Sequence, residues 1–220
     1  MLASELLTDT LPVLSLQDPL SKAVNFYLDS AVCHLPVVAE GTLQGILPTD
    51  LLINIPDKHQ LIGAFRDDFV NAFVFPDQHG LDVFELIAKL SLTSIPVIDD
   101  QRNYLGSVIT EDLLTRLSNY YSFKHVGGII VLRLGFRDYN LSEIAHIVSG
   151  NNARILMLYL DADEENEQYR LTIKLDTLNL SSIVATFERY KYIVDFYRPT
   201  GIEKEELDDK YALLMKLFDL

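Results

Sequence analysis

Ser94-Ile-Pro-Val-Ile-Asp-Asp-Gln-Arg-Asn-Tyr-Leu-Gly-Ser-Val-Ile-Thr-Glu-Asp-Leu-Leu114 follows the plan of an earlier stretch, His34-Leu-Pro-Val-Val-Ala-Glu-Gly-Thr-Leu-Gln-Gly-Ile-Leu-Pro-Thr-Asp-Leu-Leu52. Displaced by 60 residues, Val13 falls on Phe73, Ala23 on Val83, Leu35 on Ile95 and Pro36 on Pro96. The displacement becomes 61 at Gly45 and Gly106, and 62 at Asp50 and Asp112. Both added residues lie at or beside turns, where length changes are tolerated best. A duplicated supersecondary unit is therefore the first feature of the chain.

Each copy reads as strand, helix, strand, strand, helix. In the first, Asp18 is placed as an N-cap with Pro19 at the opening helical position. Leu20, Ala23, Val24, Tyr27 and Leu28 then recur at helical spacing, as do Val83, Leu86, Ile87 and Leu90 in the second. The short apolar strands Leu35–Val38 and Ile95–Ile98 follow, with turns over 39–42 and 99–103, and a helix opens near each Asp-Leu-Leu.

The paired pattern resembles a tandem of CBS domains, covering residues 1–60 and 61–120. That resemblance implies two β-α-β-β-α units packed about a pseudo-twofold axis, with clefts between them that hold AMP, ADP, ATP or S-adenosylmethionine. An adenine ring needs an apolar slot, a ribose needs an acceptor, and phosphates need hydroxyl or N–H donors. The resemblance makes Asp112, six residues after Gly106, the ribose-binding carboxylate, with Thr110, Ser94, Ile95 and Pro96 around it. Asp50, His34 and Leu35 are the corresponding set in the first copy. The family's Ser or Thr three residues before the aspartate is Ile109 here. In the first copy Leu47 stands three residues before Asp50, and Pro48 adds a lost N–H. The second site is the nearer of the two to the ligand-binding pattern. Helix capping is the competing role for both aspartates.

A second organisation follows a linker over 119–125. Gly127-Gly128 opens a strand through Leu134. Leu141, Ile144, Ala145 and Val148 form a helical stripe with Asn140 as N-cap and Gly150 as stop. Strands over 155–160 and 169–175 come next. A helix with Leu180, Ile183, Val184 and Phe187 is capped by Asn179, and a strand over 192–197 closes the set. The order β-α-β-β-α-β implies a ferredoxin-like fold over 124–199. Beside a CBS pair it resembles an ACT domain, and the combination is similar to acetoin-utilisation-type CBS–ACT proteins. The acidic run Asp161 to Glu167 lacks the spacing of a Ca²⁺ loop and reads as a hairpin tip. Residues 200–220 form an amphipathic helix with Leu207, Tyr211, Leu214 and Phe218 on one face. The fold class is thus α+β throughout.

The chain has 220 residues, 49% hydrophobic and 23% charged, with a net charge of −14. A field of that sign disfavours nucleic acid and anionic membrane. No signal peptide or spanning segment is read, and a single cysteine suits a reducing, cytoplasmic setting. His34, His59, His79, His125 and His146 show no metal spacing, and no phosphate loop or nucleophile elbow occurs. Strand alternation sets Cys33 and His34 on opposite faces, which separates the thiol from the base. The expectation is a non-enzymatic regulatory homodimer without metal or required cofactor. Either it senses an adenosyl compound near Asp112, or it is a ligand-free assembly module. An enzyme of unrecognised type is the remote third reading.

Overall fold

The computed structural model describes residues 1–8, 10–30 and 32–200. The expected helix over 200–220 lies outside the described residues, apart from Thr200. The chain divides into two compact units, Met1–Ser118 and Asn119–Leu220.

The first unit holds α1 (Leu20–Ser30), β1 (His34–Ala39), β2 (Thr42–Pro48), α2 (Gly80–Leu90), β3 (Ser94–Ile98), β4 (Tyr104–Ile109) and α3 (Thr110–Ser118). β1 pairs antiparallel with β2 and β3 with β4, in equivalent registers. His34 faces Pro48 as Ser94 faces Ile109. Both hairpins bulge where Val37 faces Gly45 and Val97 faces Gly106. These two glycines have φ of +152° and +149°, a region that L-residues adopt only with strain.

The expected opening strands shrink to single parallel bridges, Leu14 to Val37 and Val74 to Val97. The preceding segments cross over instead. Thr8 pairs with Ser107 of the second repeat, and Val70 pairs with Ile46 of the first. The core follows the same exchange. Ala3 and Leu6 pack with Val74, Val83, Ile87, Ile95 and Leu113, while Phe65 and Phe69 lie against Leu14, Leu20, Leu35 and Leu52. Each fully buried Leu or Ile contributes about 1.5–3 kcal/mol from its apolar area.

Two local expectations fail for clear reasons. The helix after Asp50 is only a 3-10 turn over Asp50–Leu52, because Pro56 removes an N–H and bars the helical region to Ile55. Asp18 does not cap α1. Its carboxylate accepts from Ser15 N–H and Lys22 Nζ, while the first α1 amides, Leu20 and Ser21, donate to the carbonyls of Gln60 and Lys58.

The second unit holds α4 (Tyr121–Lys124), β5 (Gly127–Gly135), α5 (Leu141–Gly150), β6 (Ile155–Asp163), β7 (Gln168–Leu175), α6 (Ser181–Arg189) and β8 (Ile193–Thr200). The sheet order β6-β7-β5-β8 is that of a ferredoxin-like fold. Ile130, Leu132, Leu134, Leu171, Ile173 and Leu175 face Ile144, Ile147, Val148, Ile183 and Phe187 of the helices in one core. Alternation along β5 and β7 fixes that face. Asn140 caps α5, its Oδ1 accepting Glu143 N–H at 3.2 Å. Asn179 does not cap α6: Leu180 flanks the helix in an αR conformation, and no side chain closes the end. The linker contains the short α4, whose Phe123 carbonyl accepts Lys174 Nζ at 2.8 Å. The run from Asp161 is the exposed end of the β6–β7 hairpin.

Candidate functional site

The two repeats meet where β1 and β3 begin. Thr93 Oγ1 accepts two backbone N–H groups, from Cys33 at 3.0 Å and His34 at 3.1 Å. In return, Thr93 N–H donates to His34 Nδ1 at 3.1 Å. Ser94, fully buried, donates its hydroxyl to the His34 carbonyl. The two Thr-containing strand ends close the joint from outside. Thr49 N–H and Thr110 N–H donate to the carbonyls of Cys33 and Thr93, equivalent positions 60 residues apart.

Because Nδ1 accepts an N–H, the neutral ring carries its proton on Nε2. Burial pushes the His34 imidazole below its ordinary value, and the nearby Asp50 carboxylate opposes that shift. Cys33 Sγ lies 3.4 Å from His34 Nδ1, contrary to the expected separation. The reason is that Cys33 precedes β1, so the strand alternation that was invoked does not govern its side chain. The Nδ1 lone pair is already engaged by Thr93, which makes the ring a joint acceptor rather than a free base.

The structure also revises the register of the duplicated Asp-Leu-Leu. The matching hairpins equate Pro48 with Ile109 and Thr49 with Thr110, a displacement of 61. Burial continues it: Leu52 is 2% exposed and Leu113 0%. Asp50 therefore corresponds to Glu111, and the counterpart of Asp112 is Leu51, 60% exposed. Asp112 is the third residue of α3, inside its first turn and exposed, so it is not the N-cap. Thr110 Oγ1 donates to the Leu92 carbonyl at 2.9 Å, and its remaining capacity is as an acceptor. Ile95 and Leu35 are fully buried in the two cores, and Pro96 is buried in β3. Asp50 is exposed at the start of its 3-10 turn.

Sequence reasoning missed Thr93 and Thr49. The signal was present, since the displacements of 60 and 61 pair Cys33 with Thr93 and Thr49 with Thr110. Among the described residues, no group of three or more His, Cys, Asp or Glu side chains is placed to hold a metal ion. No described helix is long and apolar enough to cross a membrane. In the second unit, a cavity of about 500 Å³ lies beside the start of α5, lined by Arg133, Arg137, Lys191, Asp138, Glu143 and Tyr192 among others.

Residues 65–119 match the family model described as the CBS domain. The preceding repeat shares the hairpin registers and bulges of this matched region. Among solved structures, the chain is similar to a CBS domain pair/ACT domain protein from Thermotoga maritima, with 16% identity, TM-score 0.47, and 53% of this chain covering 96% of that one. It is similar to the cytosolic domain of the Mg²⁺ channel MgtE in complex with ATP, with 24% identity, TM-score 0.44, and coverage of 52% and 48%. It is also similar to a CBS domain pair in complex with 5-methylthioadenosine and S-adenosyl-L-methionine, with 24% identity, TM-score 0.43, and coverage of 53% and 94%. Among curated proteins, no relative matches the sequence.

Proposed function

We propose that the chain is a non-enzymatic regulatory protein of the cytoplasm. In this reading it binds an adenosyl compound beside Asp112 and acts as a homodimer through its ACT-like second unit. The supporting observation is the asymmetry of the two repeats: the exposed carboxylate of Asp112 in the first turn of α3 has only Leu51 as its counterpart. A carboxylate there offers a ribose two acceptor oxygens. Glu111 stands next to it, and the Thr110 hydroxyl proton is committed to Leu92. Two carboxylates repel a polyphosphate, which favours a nucleoside or the sulfonium of S-adenosylmethionine over ATP.

Calorimetry and thermal shift with AMP, ADP, ATP and S-adenosylmethionine test this reading. Ligand at 100 times its dissociation constant stabilises by about 2.7 kcal/mol, and Asp112→Ala should abolish that gain. A flat response to all four at millimolar concentration overturns the reading. The competing reading is a ligand-free assembly module. It is favoured by the complete burial of Leu35 and Ile95 and by the closure of the Ser94 hydroxyl on His34.

A further inference from the structure

The sheet of the second unit has one face under helices and a second face turned away from them. Ile130, Leu132, Leu171 and Ile173 pack under α5 and α6, so their neighbours along β5 and β7 point the other way. Across the four strands, the middle row of that second face is Tyr159, Thr172, Val131 and Phe196. Tyr159 is 52% exposed and Phe196 48%, at opposite edges of the row. Large apolar side chains grouped on an exposed face mark a contact surface.

The rows on either side are basic. Lys174 and Arg198 occupy one, with Ile129 between them, and Arg170 and Arg133 stand opposite each other in the other. α4 shelters the Lys174 corner, where the Phe123 carbonyl accepts Nζ at 2.8 Å. Asp161 faces Arg170, and Asp195 accepts from Arg133 at 2.6 Å. Like charges directly opposed on adjacent strands repel, and these two acids are divided among four bases. In a chain of net charge −14, this face is a local exception.

The chain itself carries the complement. β8 runs to Thr200, paired with Gly127 at one end of the same sheet. Residues 201–220 continue from there and lie outside the described residues. At helical spacing Leu207, Tyr211, Leu214 and Phe218 share one stripe, and Glu206 and Asp208 stand about 100° to either side of Leu207. The stripe is about 16 Å long at helical rise, and the middle row of the sheet crosses three strand spacings, about 14 Å. Residues 201–206 reach at most about 20 Å, enough to bring the stripe over the row from Thr200. An apolar stripe edged by acids thus meets an apolar band edged by bases.

We infer that residues 201–220 fold back over this face of their own sheet. The stripe from Leu207 to Phe218 covers the Tyr159–Phe196 row, and its flanking acids meet the basic rows on either side. The contact requires neither a ligand nor a second copy, so it stands apart from the adenosyl reading of Asp112.

The sequence has no tryptophan, so Phe196→Trp gives the full chain a single reporter on this face. Acrylamide quenching is compared between that chain and the same chain carrying Leu207→Ser and Leu214→Ser. The reporter is expected to emit at shorter wavelength under the intact segment, and the serine pair to raise its quenching several-fold. A tethered segment meets its site at about millimolar effective concentration, so the protection should persist on dilution. Equal quenching with and without the serine pair overturns the inference. Protection that is lost on dilution also overturns it and makes a second copy the occupant. Tyr159→Trp repeats the measurement from the opposite edge if Phe196→Trp does not fold.

Discussion

His34 Nδ1 accepts the backbone N–H of Thr93 at 3.1 Å, so a side chain of one repeat closes the backbone of the other. In the opposite direction it is the Thr93 hydroxyl that does this for Cys33 and His34. The joint is therefore reciprocal in hydrogen bonding and unequal in chemistry.

Acid should loosen this joint. The folded-state pKa of His34 lies below its unfolded value of about 6.5, so the unfolded chain binds more protons as pH falls. The stabilisation is fully present above about pH 6.5 and is lost as pH drops towards and through the folded value. Thermal melts of wild type and His34→Gln between pH 8 and 5 should show the wild type losing more on acidification. Parallel pH profiles would remove His34 from the account.

Thr93→Val should cost about 2–6 kcal/mol, since two part-buried N–H groups lose their acceptor at about 1–3 kcal/mol each. Thr93→Ser keeps the hydroxyl and should recover most of that loss. Urea midpoints at constant m-value report both effects.

The two bulge glycines should respond unequally to alanine. Both have positive φ, which costs an L-residue about 1–3 kcal/mol. A Cβ on Gly45 meets Phe69 Cβ at 2.9 Å, an atom fixed to the backbone of the crossing segment. On Gly106 it meets Leu7 Cδ2 at 3.0 Å, the far end of a side chain that can turn aside. Gly45→Ala should be the more destabilising in a denaturant titration, and equal losses would show that the crossing segments yield alike.

In the second unit, Tyr192 donates its hydroxyl to Glu143 Oε2 at 2.6 Å. Burial first, and then the Glu143 carboxylate, hold the phenol above its usual range, so it stays protonated as the donor. Tyr192→Phe should lower stability by about 1.5–3 kcal/mol, the scale of a hydrogen bond to a charged group. Burial raises Tyr104 as well, so spectrophotometric titration should find late-ionising tyrosines in the wild type, and Tyr192→Phe should remove one of them.

The duplication, the paired hairpins and the ferredoxin-like order were all legible in the sequence. They rest on local signals: Pro-Val strands, glycines at bulges, and apolar stripes at helical spacing. The register beyond Gly45 was misread because the identical triplets at Asp50 and Asp112 outweighed the burial pattern, which sets Leu52 beside Leu113. Pairing of Thr8 with Ser107 spans 99 residues, and no local pattern encodes a contact so distant. Cys33 and His34 were separated by a strand rule that begins one residue too late to apply. Asp112 was picked out for its carboxylate, whereas the Thr93 joint was passed over because threonine beside a strand has no distinctive chemistry until its partner is seen.

The crossing of Leu7-Thr8 and Phe69-Val70 separates the unit of duplication from the unit of assembly. Each repeat borrows an edge that the chain delivers from outside its own hairpin, so neither can be lifted out intact. Residues 65–119, excised at the limits of their family match, would lack the bridge that Thr8 supplies and the core positions of Ala3 and Leu6. The duplicated halves thus complete one another's cores, each supplying residues that the other's hairpin packs against.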